Sequence, residues 1–170
     1  MSKMTSWHVG VAAEAIAAAQ FARFGYDVSV QYGANQPEYD LIAVDGDKML
    51  KISVKGSKDG SWGLTQKYKS GRTYHEAIQE WLNNHHTKTI FCLVQFEKVA
   101  DTQLPRMYLA SPAEIAEVLR NEAGGRGDTI LYENHTWGPS AQARGTVDKL
   151  PEEWLFSEAR AQEMFDRYGL

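Results

Sequence analysis

Cysteine is almost missing from this chain. Cys92 is the only one in 170 residues, so no intramolecular disulfide can form and stability must come from a packed core. Long apolar runs are missing too. None approaches the ~20 residues of a membrane span, and the mean hydropathy is -0.46, so no membrane partner is expected. The opening residues, Met1 to His8, lack the basic-then-apolar order of a signal peptide. With one cysteine, this makes a cytoplasmic location the expectation. An excess of positive charge is also lacking: 18 Lys and Arg against 22 Asp and Glu give a net charge of -4, which excludes an overall basic coat for nucleic acid. No glycine-rich phosphate loop ending in Lys-Ser/Thr occurs. His75, His85, His86 and Cys92 fit no closed zinc spacing. Cys92, between Phe91 and Leu93 in a strand-like run, reads as a core residue rather than a nucleophile.

The length suits one domain spanning residues 1–170, with a core in 1–110 and a C-terminal helical and aromatic extension in 111–170 packed on it. Hydrophobic spacing and capping signals predict a helix over 5–24 ended by Gly25 and a strand over 26–32. Two strands, 39–45 and 48–55, follow, joined at Asp45-Gly46-Asp47, a hairpin signal. A helix over 73–85 carries Ala77, Ile78, Trp81 and Leu82 on one face. A strong strand over 88–97 and a short one over 106–110 come next. Ser111-Pro112-Ala113-Glu114 starts a helix running to about 121. A strand over 129–132 and a final helix over 157–168 complete the order. That order predicts an α/β (α+β) domain with a central mixed sheet. Glycine-rich, polar residues 56–72 read as a flexible loop, and 123–128 and 133–151 read as weakly structured.

The net charge conceals a gradient. Residues 48–72 hold seven of the basic side chains and only Asp59 as an acid, a local net of +6, whereas residues 111–170 carry a net of -5. A local positive surface can steer an anionic ligand whatever the total.

Two places concentrate chemistry. In residues 9–22 Glu14 is the only charged side chain, and a carboxylate on a largely apolar helix must find solvent, a donor or a metal. In the hairpin, Leu50, Ile52 and Val54 share one face, and Lys51, Ser53 and Lys55 the other. Asp40 opens the apolar run of the first strand. Counted outward from Gly46, Asp40 and Lys55 are offset by three positions, so contact between them is left open.

The series of a helix carboxylate, Gly-Tyr, a strand, Tyr-Asp-Leu-Ile-Ala, a hairpin and Ile-Ser-Val-Lys resembles the PD-(D/E)XK nuclease superfamily, most nearly its branch of Holliday junction resolvases and related small endonucleases. The likeness covers residues 10–55 and extends loosely through 73–97. It implies a restriction-endonuclease-like three-layer core, in which a central mixed sheet is flanked by helices. It also implies Mg²⁺-dependent hydrolysis of DNA phosphodiesters, with Glu14 and Asp40 as metal ligands and Lys55 assisting the attacking water. The family's acid two residues before the lysine is Ser53 here, and a hydroxyl is a far weaker ligand for a hard cation. Glu38, two residues from Asp40 on the same strand face, is the nearest acid that could take its place. The alternative implied by Ser53 is a catalytically degenerate fold that binds nucleic acid or a protein. Lys58, Gln66, Lys67, Lys69 and Arg72 are the expected nucleic-acid contacts, and Trp62 and Tyr68 could stack on bases. Trp137, Trp154, Phe156, Phe165 and Tyr168 read as a tail covering the core, with a homodimer contact as the alternative.

Overall fold

The computed structural model describes residues 3–31, 38–140 and 143–170. Helix α1 (Ser6–Arg23) begins at Thr5, whose side chain and that of His8 exchange hydrogen bonds with each other's backbone, and it ends before Gly25. Strand β1 is Asp27–Val30; the end of the expected strand at residue 32 lies outside the described residues. Strands β2 (Leu41–Asp45) and β3 (Lys48–Ser57) form the hairpin, with Asp45 opposite Lys48. Gly46 turns it at a φ of 59°, a conformation that disfavours any residue with a Cβ.

Residues 56–72 do not form the flexible loop expected of them. Strand β3 continues to Ser57. Strand β4 (Ser61–Gly63) then pairs with the distant β7 (Ile130–Tyr132), and a 3-10 turn covers Gln66–Tyr68. The helix α2 (Tyr74–Asn83) is capped by Thr73, and β5 (Thr89–Gln95) is buried along its whole length. Strand β6 (Arg106–Ala110) and α3 (Pro112–Asn121) follow, the latter started by the Ser111–Glu114 capping box. Residues 133–151, expected as weak, contain a short antiparallel pair, β8 (Asn134–Thr136) and β9 (Val147–Lys149). Helix α4 (Glu158–Tyr168) closes the chain.

The main sheet has five strands in the order β1-β2-β3-β5-β6. Only the β3–β5 pair is parallel, so the sheet is mixed as expected. Alternation sorts its side chains into two cores. Leu50, Ile52, Val54, Ile90 and Cys92 pack with Ala13, Ala17 and Phe21 of α1 and Met164 and Phe165 of α4. Phe91, Leu93 and Tyr108 pack on the other face with Ile78 and Trp81 of α2 and Ile115 and Leu119 of α3. Full burial pushes the Cys92 thiol far above its ordinary range, which fits a core role. Trp154, Phe156 and Phe165 are buried in these cores, so the aromatic tail is part of the fold's interior. Among the described residues no helix is long and apolar enough to cross a membrane.

Candidate active site at the open end of the β2–β3 hairpin

One glycine sets the distance between α1 and the sheet. A Cβ on Gly56 would lie 2.8 Å from Val9 Cγ1 and 2.9 Å from both Ala13 Cβ and the Val9 carbonyl oxygen. Only a glycine lets the helix lie this close to β3, and the approach carries Glu14, one residue after Ala13, toward the hairpin. Gly56 follows Lys55 directly, so the same contact brings that lysine's strand segment to the helix.

Asp40 stands where the hairpin ladder ends. Its N–H donates to the Ile52 carbonyl at 2.8 Å, and its own carbonyl accepts from Gln31 N–H at 2.9 Å. The next inward N–H of β3, that of Val54, has no strand carbonyl to meet and donates to Asp40 Oδ2 at 2.6 Å. The carboxylate thus serves as an acceptor at a point where β2 and β3 part. Leu41 pairs with Ile52, so Asp40 falls opposite Ser53. Lys55 lies two residues further along β3. The offset is therefore two and not three, because the turn is centred between Gly46 and Asp47. An even offset puts Asp40, Ser53 and Lys55 on the same face of the hairpin.

Glu14 joins them electrostatically. Its carboxyl is held above the ordinary carboxylate range, first by burial and then by the negative charge of Asp40, while the Lys55 ammonium opposes the rise. The three residues expected to form the catalytic set therefore fall within one electrostatic neighbourhood. A Glu14 carboxyl raised in part by the charge of Asp40 is one that a divalent cation would relieve.

The other expected residues are distributed differently. Glu38 is engaged at the start of β5, where its carboxylate meets His85 Nδ1 at 2.6 Å and accepts from the His86 N–H at 3.1 and 3.2 Å. Ser53 is 2% exposed. Among the described residues there is no group of three His, Cys, Asp or Glu side chains that could hold a metal. Lys55 and Lys58 line a cleft of about 260 Å³ with Ser6, Val9 and Leu64. Asp59, also at this cleft, is absorbed by hydrogen bonds from Ser57 Oγ and from Ser61 N–H and Oγ. Lys58 Nζ donates to the Met4 carbonyl, tying the basic segment to the start of α1.

Further along the segment, Lys67 lies over the Tyr68 ring and Lys69 over the Tyr74 ring, and Arg72 donates to the Tyr68 carbonyl. The Gln66 side chain covers Gly63, where a Cβ would sit 2.6 Å from Gln66 Oε1. Trp62 does not stand ready to stack on a base. It is 3% exposed, sits edge-on to Tyr108 in the core, and donates its indole N–H to the Lys55 carbonyl at 3.0 Å. Tyr68 is half-buried against the same core. The glycine and lysine content around Trp62 hides its partner, which lies about 70 residues away on β7.

Comparison of the chain with family models, with curated proteins and with solved structures finds no match.

Proposed function

We propose that this chain is a metal-dependent endonuclease of the PD-(D/E)XK type that hydrolyses DNA phosphodiesters, with the restriction-endonuclease-like fold that this implies. The observation that carries the reading is the close approach of α1 to β3 at Gly56, next to Lys55 and with Asp40 opposite Ser53, so that the Glu14 carboxyl feels the charges of Asp40 and Lys55. Glu14 and Asp40 fit a Mg²⁺ ion as two hard oxygen donors, since Mg²⁺ commonly takes one or two carboxylates and fills its shell with water and substrate phosphate. When bound, the ion would supply orientation of a water and offset of phosphate charge. The residues of the chain do the rest. Val54 N–H fixes Asp40 through Oδ2, and Oδ1 has no hydrogen bond among the described residues. Lys55, exposed beside the cleft, binds the phosphate and is placed to orient the attacking water. Lys58, Gln66, Lys67, Lys69 and Arg72 extend the basic surface along which a strand would lie.

A second reading has its own observation. Ser53, buried and neutral, occupies the position of the family's third acid, which favours a fold that binds nucleic acid or a protein without chemistry. Incubation of the pure protein with single-stranded, duplex and branched DNA in Mg²⁺ or Mn²⁺ separates the two. Cleavage that Asp40→Ala abolishes supports the enzyme. Cleavage no greater than that of the Asp40→Ala control overturns it. Salt-sensitive DNA binding that survives Asp40→Ala but is lost in Lys58/Lys67/Lys69→Glu would then establish the binding-only form.

A further inference from the structure

Trp7 is the most exposed large apolar side chain among the described residues, at 71%, and its ring meets that of His8 edge-to-face, at 5.2 Å between centroids. Its position on α1 is what gives the exposure meaning. Seven residues make almost two full helical turns, so Trp7 and Glu14 lie within ~20° of each other on the helix surface and ~10 Å apart along the axis. Val11, also exposed, lies between them. The indole therefore stands in line with the carboxylate of the candidate active site, on the same rigid element.

The surroundings select a partner. The shallow apolar patch around Trp7 is lined by Lys3, Met4, His8, Val11, Ala12 and Ala15, with no acid among them. Lys58, which donates to the Met4 carbonyl, joins this patch to the cleft that holds Lys55. An exposed aromatic ring with Lys3 at its rim, and with Lys58 linking it to the cleft of Lys55, is an arrangement that takes a nucleobase on its face and the adjoining phosphates on the cations. A base inside an intact duplex presents no free face.

Resting on the nuclease reading above, we infer that Trp7 stacks on an unpaired base near the scissile phosphate, and that the substrate presents single-stranded DNA there. Trp7 is a specificity residue of the site and takes no part in the chemistry.

The test is a direct binding measurement in EDTA, so that cleavage does not intervene. Fluorescein-labelled single-stranded and blunt duplex DNA of equal length are titrated with the parent protein, Trp7→Ala and Trp7→Phe. Trp7→Ala should weaken single-strand binding by about tenfold, Trp7→Phe should recover most of it, and duplex binding should change little. With Mg²⁺, Trp7→Ala should raise KM for the single strand more than it lowers kcat. Unchanged single-strand affinity in Trp7→Ala, with cleavage by the parent intact, overturns the role of Trp7 and leaves the nuclease reading standing. A parent that neither binds nor cleaves any DNA overturns the reading itself. A halved mass by light scattering in Trp7→Ala, without a change in DNA binding, assigns the patch to a second copy of the chain and also overturns the inference. Because the ring is exposed, the variants should melt as the parent does, so a loss of binding is read at the site.

Discussion

Carboxylates around α4 and at the open end of the β2–β3 hairpin are treated in opposite ways. Around α4, acids and bases are matched. Arg160, 4% exposed, donates to the Leu109 carbonyl through Nε and Nη2, to Glu114 Oε1 at 2.9 Å and to Glu163 Oε2 at 2.8 Å. Hydrogen bonds from Arg160, with help from Arg167, hold the Glu163 carboxyl below its ordinary value. Glu133 is gripped by the fork of Arg106 and by the Tyr108 hydroxyl in the same manner. At the hairpin end, Glu14 gains no such partner and is pushed the other way by burial and by Asp40. The carboxylates around α4 and β6 are satisfied by cations from within the fold. A carboxyl raised by burial and by a neighbouring acid, beside a lysine, is what the proposed metal site would use.

Five substitutions sharpen or break that contrast. Arg160→Met should have the largest effect, since it removes the buried cation that bridges Glu114 and Glu163 and satisfies the Leu109 carbonyl. A loss of about 3–5 kcal/mol is expected, read as a lower midpoint in urea, with DNA cleavage per folded molecule unchanged. Asp40→Ala should cost about 1–3 kcal/mol by leaving the Val54 N–H without its acceptor, and it should abolish cleavage. Asp40→Asn keeps an acceptor, so its melting temperature should stay near the parent's while cleavage is still lost. That split separates the bracing role of Asp40 from its role at the metal. On the proposed nuclease reading, Ser53→Glu supplies a third acid and should raise Mg²⁺-dependent cleavage by roughly an order of magnitude, equivalent to ~1.4 kcal/mol of barrier. No gain there would mean that the remaining groups are not assembled for catalysis.

The smallest effect in this set carries the clearest sign. The Glu14 carboxyl is raised above its ordinary value of 4.5. Between that value and its folded one, the native state holds a proton that the unfolded chain has lost. Stability therefore falls as pH rises through this window and is level above it. Glu14→Gln removes the slope. It should melt with the parent below the window and slightly above the parent beyond it, while cleavage is lost. A variant more stable and less active than its parent is what a site residue, and not a packing residue, produces.

Most of the frame was legible in the sequence because its signals are local. Thr5 and Gly25 bound α1, Gly46 placed the hairpin, and Ser111 with Glu114 started α3. The distribution of Leu50, Ile52 and Val54 against Lys51, Ser53 and Lys55 gave the faces of β3 correctly. What was not legible depends on distant partners. Strand β4 has three residues and pairs with β7, so no periodicity announces it, and Trp62 reads as a loop residue until that pairing buries it. The offset of Asp40 from Lys55 turned on whether the turn was centred on Gly46 or half a residue later, a difference that moves a side chain to the other face. The engagement of Glu38 by His85 and His86 spans 47 residues and carries no sequence signal. Glu14 was visible as a charge on an apolar helix, but its approach to Asp40 and Lys55 rests on the missing side chain at Gly56.

The central claim is that Glu14, Asp40 and Lys55 act as one electrostatic unit that takes a divalent cation. Carbon-detected NMR titration of the Glu14 carboxyl, with and without Mg²⁺, tests it most directly. Glu14 should titrate above an ordinary glutamate in the absence of metal, fall toward or below the ordinary value when Mg²⁺ is added, and lose part of its elevation in Asp40→Asn. A Glu14 that titrates as an ordinary surface carboxylate and ignores both Mg²⁺ and the substitution of Asp40 would contradict it.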